Sequence, residues 1–521
     1  MNIRQERSPL DTYAVSAEQM TEIESRIFAA GMPVEALMEK VAGKIVRRVR
    51  QVYSRRRFRR VGVLVGPGHN GGDALVVARE LHHAGYAVIT YQPFQKTKPL
   101  TAQHAQYAAH LGIESTGAIA PILECDLIID GLFGFGLTRA LEGEIAEAVE
   151  AVNTLDVPVV SIDIPSGLHT DTGEVLGTAV CATHTLCLGL WKLAFLQDNA
   201  LDYGGQAELI DFDIPLSDIQ AMLGDRPSRV RITPETAIAP LQAPLSPTTH
   251  KYKQGHGLLI AGSRPYRGAA VLAGLGARGS GVGMLSIAVP ESLREQVSSQ
   301  VPEALVIGCA ETATGAIAQL PDTLNLQNYD AIACGPGLTL AAEPIVRQVL
   351  KTDRPLLLDA DGLNALAQMG AIETLRDRPF PTVLTPHWGE FRRLFPEIAT
   401  AGDRLMMVEQ AAIASGATVI LKGAKTAIAH QYLDGNSQVW INPDSTPALG
   451  RGGSGDVLTG LLGGLLAQLL RQGWTVEAIA QTAVWWHAQA GILAAGERTE
   501  RGVDAWTLTQ YLMPALAEAI S

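Results

Sequence analysis

Short runs of aliphatic and β-branched residues alternate with longer amphipathic stretches from Val61 onward. The runs predict buried strands, and the stretches between them predict helices. In the first half these runs are VGVLVG, AVITYQ, DLIIDGLFG, VPVVSIDIP and HTLCLGL. Alternation of this kind builds a parallel sheet with helices on both faces. The pattern therefore predicts an α/β fold.

The alternation restarts after a Pro-rich stretch without motifs at residues 225–247, which predicts a linker and the entry to a second domain. The second half carries the runs GLLIAG, GMLSIAVP, ALVIG, YDAIACGPG, RPLLLDADG, PTVLTPH and ATVILKG. A chain of 521 residues is also too long for one ordinary core. We predict two α/β domains, residues 1–228 and 229–521, which are not repeats of one another.

Charge and cysteine usage narrow the class of protein. The formal net charge of -12 argues against a general nucleic-acid binder, and the RRRFRR run at 55–60 is interpreted as a solvated turn. Five cysteines without CxxC spacing indicate reduced thiols rather than structural zinc. The first residues lack the apolar core of a signal peptide, and glycines interrupt the apolar run at 457–470. We expect a cytoplasmic enzyme and homo-oligomer that binds neither membranes nor nucleic acids.

The segment GRGGSGDVLTG at residues 450–460 places five glycines around Asp456, in front of a long apolar helix. Glycines let the backbone turn sharply and let a ligand approach main-chain N–H groups. A helix N-terminus attracts anions, phosphate above all. On the motif alone Asp456 is interpreted first as a helix N-cap and second as a catalytic carboxylate beside a phosphate site.

In the first half, polar residues follow successive strands: Asn70 in GPGHNGGD, Asp130 in LIID, and Asp163 with Ser166 in DIPSG. Loops at the carboxyl ends of parallel strands form the ligand site of open sheets. Their oxygens suit a hard cation, and Asp163 could equally exchange a proton with a substrate. Each residue alone could also be a turn or capping residue. The glycine loop lacks the GxGxxG register, and no acidic residue ends the next strand, so a plain dinucleotide fingerprint fits poorly.

Together, NGGD, DGLFGFGL and DIPSGL resemble the NAD(P)H-hydrate epimerase family over residues 15–220. The resemblance implies a Rossmann-like three-layer domain that interconverts the R and S forms of hydrated NADH and NADPH. It implies a K⁺ ion on Asn70, Asp130 and Ser166, and a catalytic role for Asp163 and Lys192. His69 stands where the family usually has a second asparagine. The implied substrate contacts are His69, Asn70, Gly71, Gly72, Asp73, Gly134, Phe135, Gly136, Leu137, Thr138, Arg139, Ala140 and Asp163.

In the second half, CGPGL, DADGLNAL, LTPH, KGAKT and GGSGD occur in an order that resembles the ribokinase-like fold. More narrowly, residues 230–515 resemble the ADP- or ATP-dependent NAD(P)H-hydrate dehydratases. The resemblance implies that Asp456 takes the proton of a ring hydroxyl as this attacks the terminal phosphate of a Mg²⁺-bound nucleotide. ADP and ATP are not distinguished, although fusions of this family generally imply ADP. The implied nucleotide contacts are Lys422, Gly423, Ala424, Lys425, Thr426 and Gly455, and the implied contacts to the hydrated dinucleotide are Ala269, Gly337, His387 and Asp456.

Some second-half residues depart from the family or have a structural alternative. Thr339 in GPGLTL replaces a usual glycine, and Trp388 stands where proline is common. His387 could cap a helix in TPHWGE rather than bind a ligand. Trp485 and Trp486 are interpreted as helix packing rather than substrate stacking.

The main interpretation is a bifunctional repair enzyme that acts on hydrated NADH and NADPH (NADHX and NADPHX). Three rival functions remain. The second half could be an ordinary small-molecule kinase that forms a stable phosphate ester. The first half could be a non-catalytic binding module, since related domains occur in scaffold proteins of RNA decay. The retained polar residues Asn70, Asp130, Asp163 and Ser166 argue against this. A plain NAD-binding domain of a dehydrogenase is disfavoured by the missing ribose acid.

Overall fold

The computed structural model describes residues 8–400 and 402–521. Residues 1–7, which belong to the segment predicted above to lack a signal peptide, lie outside these ranges. The chain divides into two compact units, Met1–Arg229 and Val230–Ser521, one residue beyond the border predicted from the sequence. Within the described ranges, none of the helices has the length and hydropathy needed to cross a bilayer.

A seven-stranded parallel sheet forms the centre of the first unit. Its strands are β1 Arg60–Val65, β2 Ala87–Tyr91, β3 Glu114–Thr116, β4 Leu127–Gly131, β5 Val159–Ile162, β6 His184–Leu188 and β7 Gln206–Ile210. They lie in the order β3-β2-β1-β4-β5-β6-β7. The order reverses between β1 and β4, and a crevice at such a point is where ligands bind in open sheets. A separate two-residue pair joins Ala14–Val15 to Trp191–Lys192.

Helices cover both faces of this sheet, as the alternating pattern predicted. They are Ala17–Ala29, Val34–Val52, His69–His83, Pro99–His110, Gly143–Asn153, Leu201–Gly204 and Leu216–Leu223. Val61, Val63 and Val65 pack in one core cluster, whereas Leu64 packs in another. Because successive strand residues point to opposite faces, both faces of β1 are buried, which explains its continuous apolar run.

An eleven-stranded mixed sheet forms the centre of the second unit. Its strands are β8 Arg229–Arg231, β9 His256–Ile260, β10 Met284–Pro290, β11 Leu305–Glu311, β12 Ile317–Gln319, β13 Ala331–Cys334, β14 Leu356–Leu358, β15 Thr382–Leu384, β16 Thr418–Leu421, β17 Ala427–Gln431 and β18 Ser437–Ile441. They lie in the order β8-β18-β17-β16-β15-β14-β13-β9-β10-β11-β12. From β16 to β11 the pairs are parallel.

The α/β class predicted for each half is confirmed, but the expectation of a parallel sheet is wrong at both edges of the second sheet. There β16, β17 and β18 pair antiparallel, and so do β11 and β12. Short connections allow antiparallel neighbours, whereas parallel neighbours need a crossover of a dozen residues or more. The stretch 225–247, predicted as a linker and domain entry, contains β8 and the helix Pro234–Ile238.

The helices of the second unit bury much of its apolar sequence. They are Pro234–Ile238, Arg267–Gly279, Arg294–Gln300, Glu343–Leu350, Asp361–Met369, Ala371–Leu375, Trp388–Leu394, Arg404–Ser415, Ser454–Leu469, Val476–Arg498 and Ala505–Ile520. The packing role predicted for Trp485 and Trp486 is confirmed, since both are buried in the core and Trp486 Nε1 donates to the Leu512 carbonyl. A Cβ at Gly460 would lie 1.8 Å from the Ala273 carbonyl oxygen. Glycine therefore allows the helices Ser454–Leu469 and Arg267–Gly279 to cross closely.

Candidate active sites

A cavity of about 600 Å³ opens in the first unit where the loops after β1, β4 and β5 meet. The site residues predicted from the sequence that line it are His69, Asn70, Asp73, Gly134, Phe135, Gly136, Leu137, Thr138, Arg139, Asp163 and Lys192. Gly71, Gly72 and Ala140 are not among its lining residues. Gly71 instead serves packing, because a Cβ there would lie 1.9 Å from the Gly66 carbonyl oxygen. Similarly, a Cβ at Gly72 would lie 2.7 Å from Met38 Cε.

A buried ion pair lies in the wall of this cavity. Lys192 Nζ is 2.5 Å from Asp163 Oδ1 and also donates to the Leu188 carbonyl. Asp163 has a φ of 71°, a left-handed conformation that is strained for a residue with a side chain. Its carboxylate also accepts hydrogen bonds from the backbone N–H groups of Phe135 and Leu188. Burial is the largest single effect and opposes the charge on Lys192, but Asp163, Cys187 and Glu24 together outweigh it and raise the pKa of Lys192.

The helix Ala17–Ala29 adds a carboxyl that the sequence analysis missed. Glu24 is partly buried and lines the cavity with Asp163 and Lys192. Burial raises the pKa of Glu24 to about 7, against the attraction of Lys192 and with the repulsion of Asp163. Lys98, also missed, lines the same cavity. The sequence signal that could have identified Glu24 was a charged residue within the otherwise apolar face of an amphipathic helix.

Two further titratable groups line this cavity beside the pair. Burial raises the pKa of Asp73 well above its ordinary value, and Asp163 and Glu24 add to the rise. Burial lowers the pKa of His69, and the charge of Lys98 lowers it further. The cavity thus combines three carboxyls with two lysines, which suits proton transfer to and from a bound substrate.

The residues implied to bind K⁺ lie beneath the loop that follows β4. Asp130 is fully buried and accepts hydrogen bonds from Ser161 Oγ at 2.8 Å and from Ser166 Oγ at 2.6 Å. Burial raises the pKa of Asp130, although these hydrogen bonds oppose the rise. Asn70 has a buried amide nitrogen with no hydrogen-bond partner in residues 8–400 and 402–521, and the O and N positions of an amide are interchangeable. Asn70 Oδ1 would lie 3.4 Å from a Cβ on Gly134.

This donor set fits a hard monovalent cation. A buried carboxylate is costly without a compensating positive charge. No basic side chain in the described ranges forms an ion pair with Asp130. Carboxylate, amide and hydroxyl oxygens are the ligands that hard cations take. No group of three His, Cys, Asp or Glu side chains in the described ranges could hold a metal ion.

A second charged cluster lies at the start of the helix Ser454–Leu469. Asp359 follows β14, is buried, and accepts hydrogen bonds from Lys422 Nζ at 2.8 Å and Thr459 Oγ1 at 2.6 Å. Burial is the largest single effect and opposes the charge on Lys422, but Asp359, Glu390 and Asp456 together outweigh it and raise the pKa of Lys422. Burial raises the pKa of Asp456 to about 7, reinforced by Asp359 and opposed by Lys422. Neither Asp359 nor Thr459 was singled out from the sequence.

The capping interpretation of Asp456 is wrong. Gly453, with a φ of 95°, is the N-cap of this helix, and Asp456 lies inside the first turn. His487, which the sequence analysis missed, holds the turn: its Nε2 is 2.9 Å from the Ser454 carbonyl oxygen. Burial lowers the pKa of His487 to about 4, so the ring is neutral near pH 7 and donates this hydrogen bond. The Asp456 carboxyl is therefore available for chemistry.

The turn 422–426 joins β16 to β17 beside this helix start. Thr426 Oγ1 donates to the Gly423 carbonyl at 3.0 Å, and Lys425 Nζ donates to the Pro443 carbonyl. Ala424 is exposed. A Cβ at Gly455 would lie 3.4 Å from Lys422 Nζ, so the glycine faces this turn. The six residues implied to bind nucleotide therefore lie at one place.

Ala269 and Gly337 are also brought together, since a Cβ at Gly337 would lie 2.8 Å from the Ala269 methyl group. Two residues later, Thr339 adopts a φ of 62°, and its N–H donates to Asp361 Oδ2 at 2.8 Å. Its hydroxyl is buried and has no hydrogen-bond partner in the described part of the chain. A threonine therefore holds a backbone conformation that favours glycine.

The capping alternative for His387 is confirmed. The Nδ1 atom of its ring accepts hydrogen bonds from the backbone N–H groups of Gly389 and Glu390, and its backbone N–H donates to Glu390 Oε2. The side chain is nevertheless 56% exposed, and the preceding Pro386 carbonyl accepts a hydrogen bond from Lys422 N at 2.9 Å. The cap fixes the ring beside the turn 422–426. Trp388 is 42% exposed and stacks on Phe391.

Comparison with known proteins assigns both units. Residues 257–514 match a family model described as NAD(P)H-hydrate dehydratase, and residues 34–194 match one described as the YjeF-related protein N-terminus. The bifunctional NAD(P)H-hydrate repair enzyme Nnr of Synechocystis is 52% identical over 98% of this chain and 95% of its own. The chain belongs to the bifunctional NAD(P)H-hydrate repair enzymes. The enzymes of the same name from Thermosynechococcus vestitus and Gloeobacter violaceus are 51% and 48% identical, over 97% and 96% of this chain and 98% and 97% of their own.

Two solved structures are similar to part of this chain. The ADP/ATP-dependent NAD(P)H-hydrate dehydratase from Bacillus subtilis, co-crystallised with ATP and Mg²⁺, is 33% identical and covers 55% of this chain and 97% of its own, with a TM-score of 0.46. A ribokinase-like superfamily protein from Enterococcus faecalis is 25% identical over 56% of this chain and 96% of its own, with a TM-score of 0.47.

Proposed function

We propose that the protein repairs hydrated NADH and NADPH in two steps, one in each unit. The first unit interconverts the R and S forms, and the second dehydrates the S form with ADP, giving AMP and phosphate. Membership of the repair-enzyme family supports both activities. The observation that carries the second is the Asp456 carboxyl, free of a capping role, beside the Lys422–Asp359 pair and the turn 422–426.

In the second unit, phosphorylation turns a poor leaving group into a good one. Asp456 takes the proton of the ring hydroxyl, and the hydroxyl oxygen attacks the terminal phosphate of the nucleotide. The N–H groups at the helix start, residues 453–456, stabilise the charge on the transferred group. The electron pair of the ring nitrogen then expels phosphate to leave an iminium ion, and loss of a proton from the neighbouring ring carbon to solvent restores the dihydronicotinamide. A pKa near 7 lets Asp456 accept a proton at neutral pH.

The nucleotide of this step has Lys422, Gly423, Ala424, Lys425, Thr426 and Gly455 as its proposed contacts. Mg²⁺ would accompany it and neutralise phosphate charge. Ala269, Gly337 and His387 would hold the hydrated dinucleotide. ATP as an alternative donor is tested by supplying each nucleotide in turn.

In the first unit, the proposed substrate site is the cavity at the ends of β1, β4 and β5. Lys192 donates from the wall to an oxygen of the substrate ring, and Asp163 holds the ammonium in place. Asn70, Asp130 and Ser166 would hold K⁺, whose charge compensates the buried Asp130. Anomalous diffraction from a rubidium-soaked crystal should show a peak among these three residues, and a map without one would remove the cation from the proposal.

One assay tests the two-step repair. Chemically hydrated NADH is incubated with the protein and ADP or ATP, while the dihydronicotinamide absorbance and inorganic phosphate are followed. We expect full recovery of absorbance with one phosphate released per cofactor restored. Consumption of nucleotide into a stable phosphate ester, without recovery of absorbance, would instead identify a small-molecule kinase.

We also propose a cytoplasmic location and a homo-oligomeric state. All five cysteines are free thiols, which supports a reducing compartment. Fractionation of the source cells tests the first proposal, and sedimentation equilibrium of the purified protein tests the second.

A further inference from the structure

The cavity-facing side of the helix Ala17–Ala29 carries one charged residue. Met20, Glu24 and Phe28, spaced four residues apart, all line the cavity. The helix is held in place by a capping box between Ser16 and Gln19 and by its buried residues, among them Ile23. Residues four apart share one face of a helix, so the packing that buries this helix also turns Glu24 toward the cavity.

Two carboxyls of this cavity have different surroundings. Asp163 is hydrogen-bonded by two backbone N–H groups and ion-paired with Lys192. Glu24 forms no hydrogen bond or ion pair with any residue in 8–400 or 402–521. A proton taken up by Asp163 would break the ion pair, whereas a proton taken up by Glu24 breaks no bond of the protein. Glu24 is therefore better suited than Asp163 to exchange protons during turnover.

The proposed epimerisation requires such a group. The ring carbon that carries the hydroxyl is also bonded to the ring nitrogen. Inversion at this carbon can proceed by opening the C–N bond to an aldehyde, rotating the freed end and closing the ring on its other face. Opening moves one proton from the hydroxyl oxygen to the nitrogen, and closing returns it. One carboxyl with two oxygens can serve both atoms, because they are bonded to one carbon.

We propose that Glu24 is the proton-transfer group of the first unit, an inference that rests on the epimerase function proposed above. Its carboxylate takes the hydroxyl proton as the C–O bond becomes a carbonyl. The electron pair of the breaking C–N bond goes to the ring nitrogen, which receives the proton from the Glu24 carboxylic acid. Closure reverses these steps on the opposite face, so no proton or electron is gained or lost. Lys192 stabilises the oxygen throughout.

The experiment measures interconversion of separated R and S hydrated NADH by chromatography, without nucleotide, so that the dehydratase is silent. Glu24→Gln preserves size and removes the carboxylate. We expect kcat to fall by about 10²-fold or more with a much smaller change in KM, the usual scale for losing a general base. Glu22→Gln is the matched control, because Glu22 is an exposed residue of the same helix outside the cavity lining, and should retain the parent rate.

A pH profile separates proton transfer from a structural role. Glu24 faces Lys192, Lys98, Asp163 and Asp73, and in these surroundings the parent kcat should fall as the pH drops below about 7. Glu24→Gln should lack this limb, and Glu24→Asp should recover part of the rate with a displaced limb. Far-ultraviolet circular dichroism and the unfolding midpoint, each compared with those of the parent, serve as the check of folding for each variant.

The outcomes are distinguishable. A parent-like rate and pH profile in Glu24→Gln would overturn the role of Glu24 while leaving the epimerase function intact. If Glu24→Gln does not fold, the Glu24→Asp profile decides, and an undisplaced limb overturns the proposal. If the parent protein itself does not interconvert the two forms, the epimerase function fails, and the proposal for Glu24 fails with it.

Discussion

Replacing Asp456 by asparagine should make the second unit inactive and more stable at once. Loss of the proton acceptor should lower dehydratase turnover by about 10²-fold or more. The stability gain has a separate cause. The folded protein raises the pKa of Asp456 from 3.8 to about 7, chiefly through burial and then through Asp359. At neutral or higher pH the folded chain must therefore hold a charge that costs less in the unfolded chain.

The magnitude follows from these two values. Each pH unit between them corresponds to about 1.4 kcal/mol, so the charged Asp456 costs at most about 4 kcal/mol of unfolding free energy. Because Asp456 is only partly buried, solvent screens part of this cost, and we expect a gain of about 1–2 kcal/mol for Asp456→Asn at pH 8. Below pH 3.8 both states are protonated, and the variant and parent should be equally stable. The difference should grow as the pH rises toward 7 and remain constant above it.

Urea unfolding followed by tryptophan fluorescence measures this gain. Six of the seven tryptophans, all except Trp191, lie in the second unit. Asp322→Asn, a change at an exposed aspartate of the same unit, is the control and should leave the midpoint unchanged. An Asp456→Asn midpoint at or below that of the parent at pH 8, or a gain no smaller at pH 5.5, would refute the reasoning.

Three other outcomes test the two sites. With ADP present, Asp163→Ala should repair about half of a mixed substrate quickly and the rest at the uncatalysed rate of epimerisation, because the change leaves the second unit unaltered; uniform parent-like repair would contradict the role of Asp163. Thr339→Gly should raise the unfolding free energy by about 1 kcal/mol by relieving a positive φ, and an unchanged midpoint would mean that the threonine is not strained. His387→Asn keeps a capping side chain and His387→Ala does not, so only alanine should lower stability, by about 1 kcal/mol. Both substitutions should raise KM for hydrated NADH; parent-like KM values would mean that His387 only caps the helix and does not contact the substrate.

The rule that ligands bind beyond the carboxyl ends of parallel strands singled out four residues of the first unit, of which Asn70 and Asp163 line its cavity, and the family resemblance added the other predicted lining residues. His69, Asn70 and Asp73 follow β1, Phe135 follows β4, and their loops meet because the strands are neighbours in a parallel sheet. A local pattern is sufficient for this purpose, since buried runs and the polar residues after them are both visible in the sequence.

Contacts between distant segments could not be predicted in this way. Asp359 belongs to the quoted run DADGLNAL, but its importance comes from the bond to Lys422, 63 residues away. Glu24 precedes the first strand of the sheet, and its place in the cavity depends on how one helix packs. The motif could not show that Gly453 rather than Asp456 is the N-cap, because aspartate is favoured both as a cap and in the first turn of a helix. The edge strands β17 and β18 were missed because their pairing is antiparallel.

The two units reach a similar arrangement of charges from sheets of different strand order. In each, an aspartate that follows a parallel strand is ion-paired with a lysine: Asp163 with Lys192, and Asp359 with Lys422. A second carboxyl from a helix stands beside the pair, and burial raises its pKa to about 7 in both places. The paired aspartate adds to that rise and the lysine opposes it. Burial therefore holds the pKa of the neighbouring carboxyl near 7 in both units, while the two partners of the ion pair act on it in opposite directions. A carboxyl with such a pKa can both accept and return a proton near neutral pH.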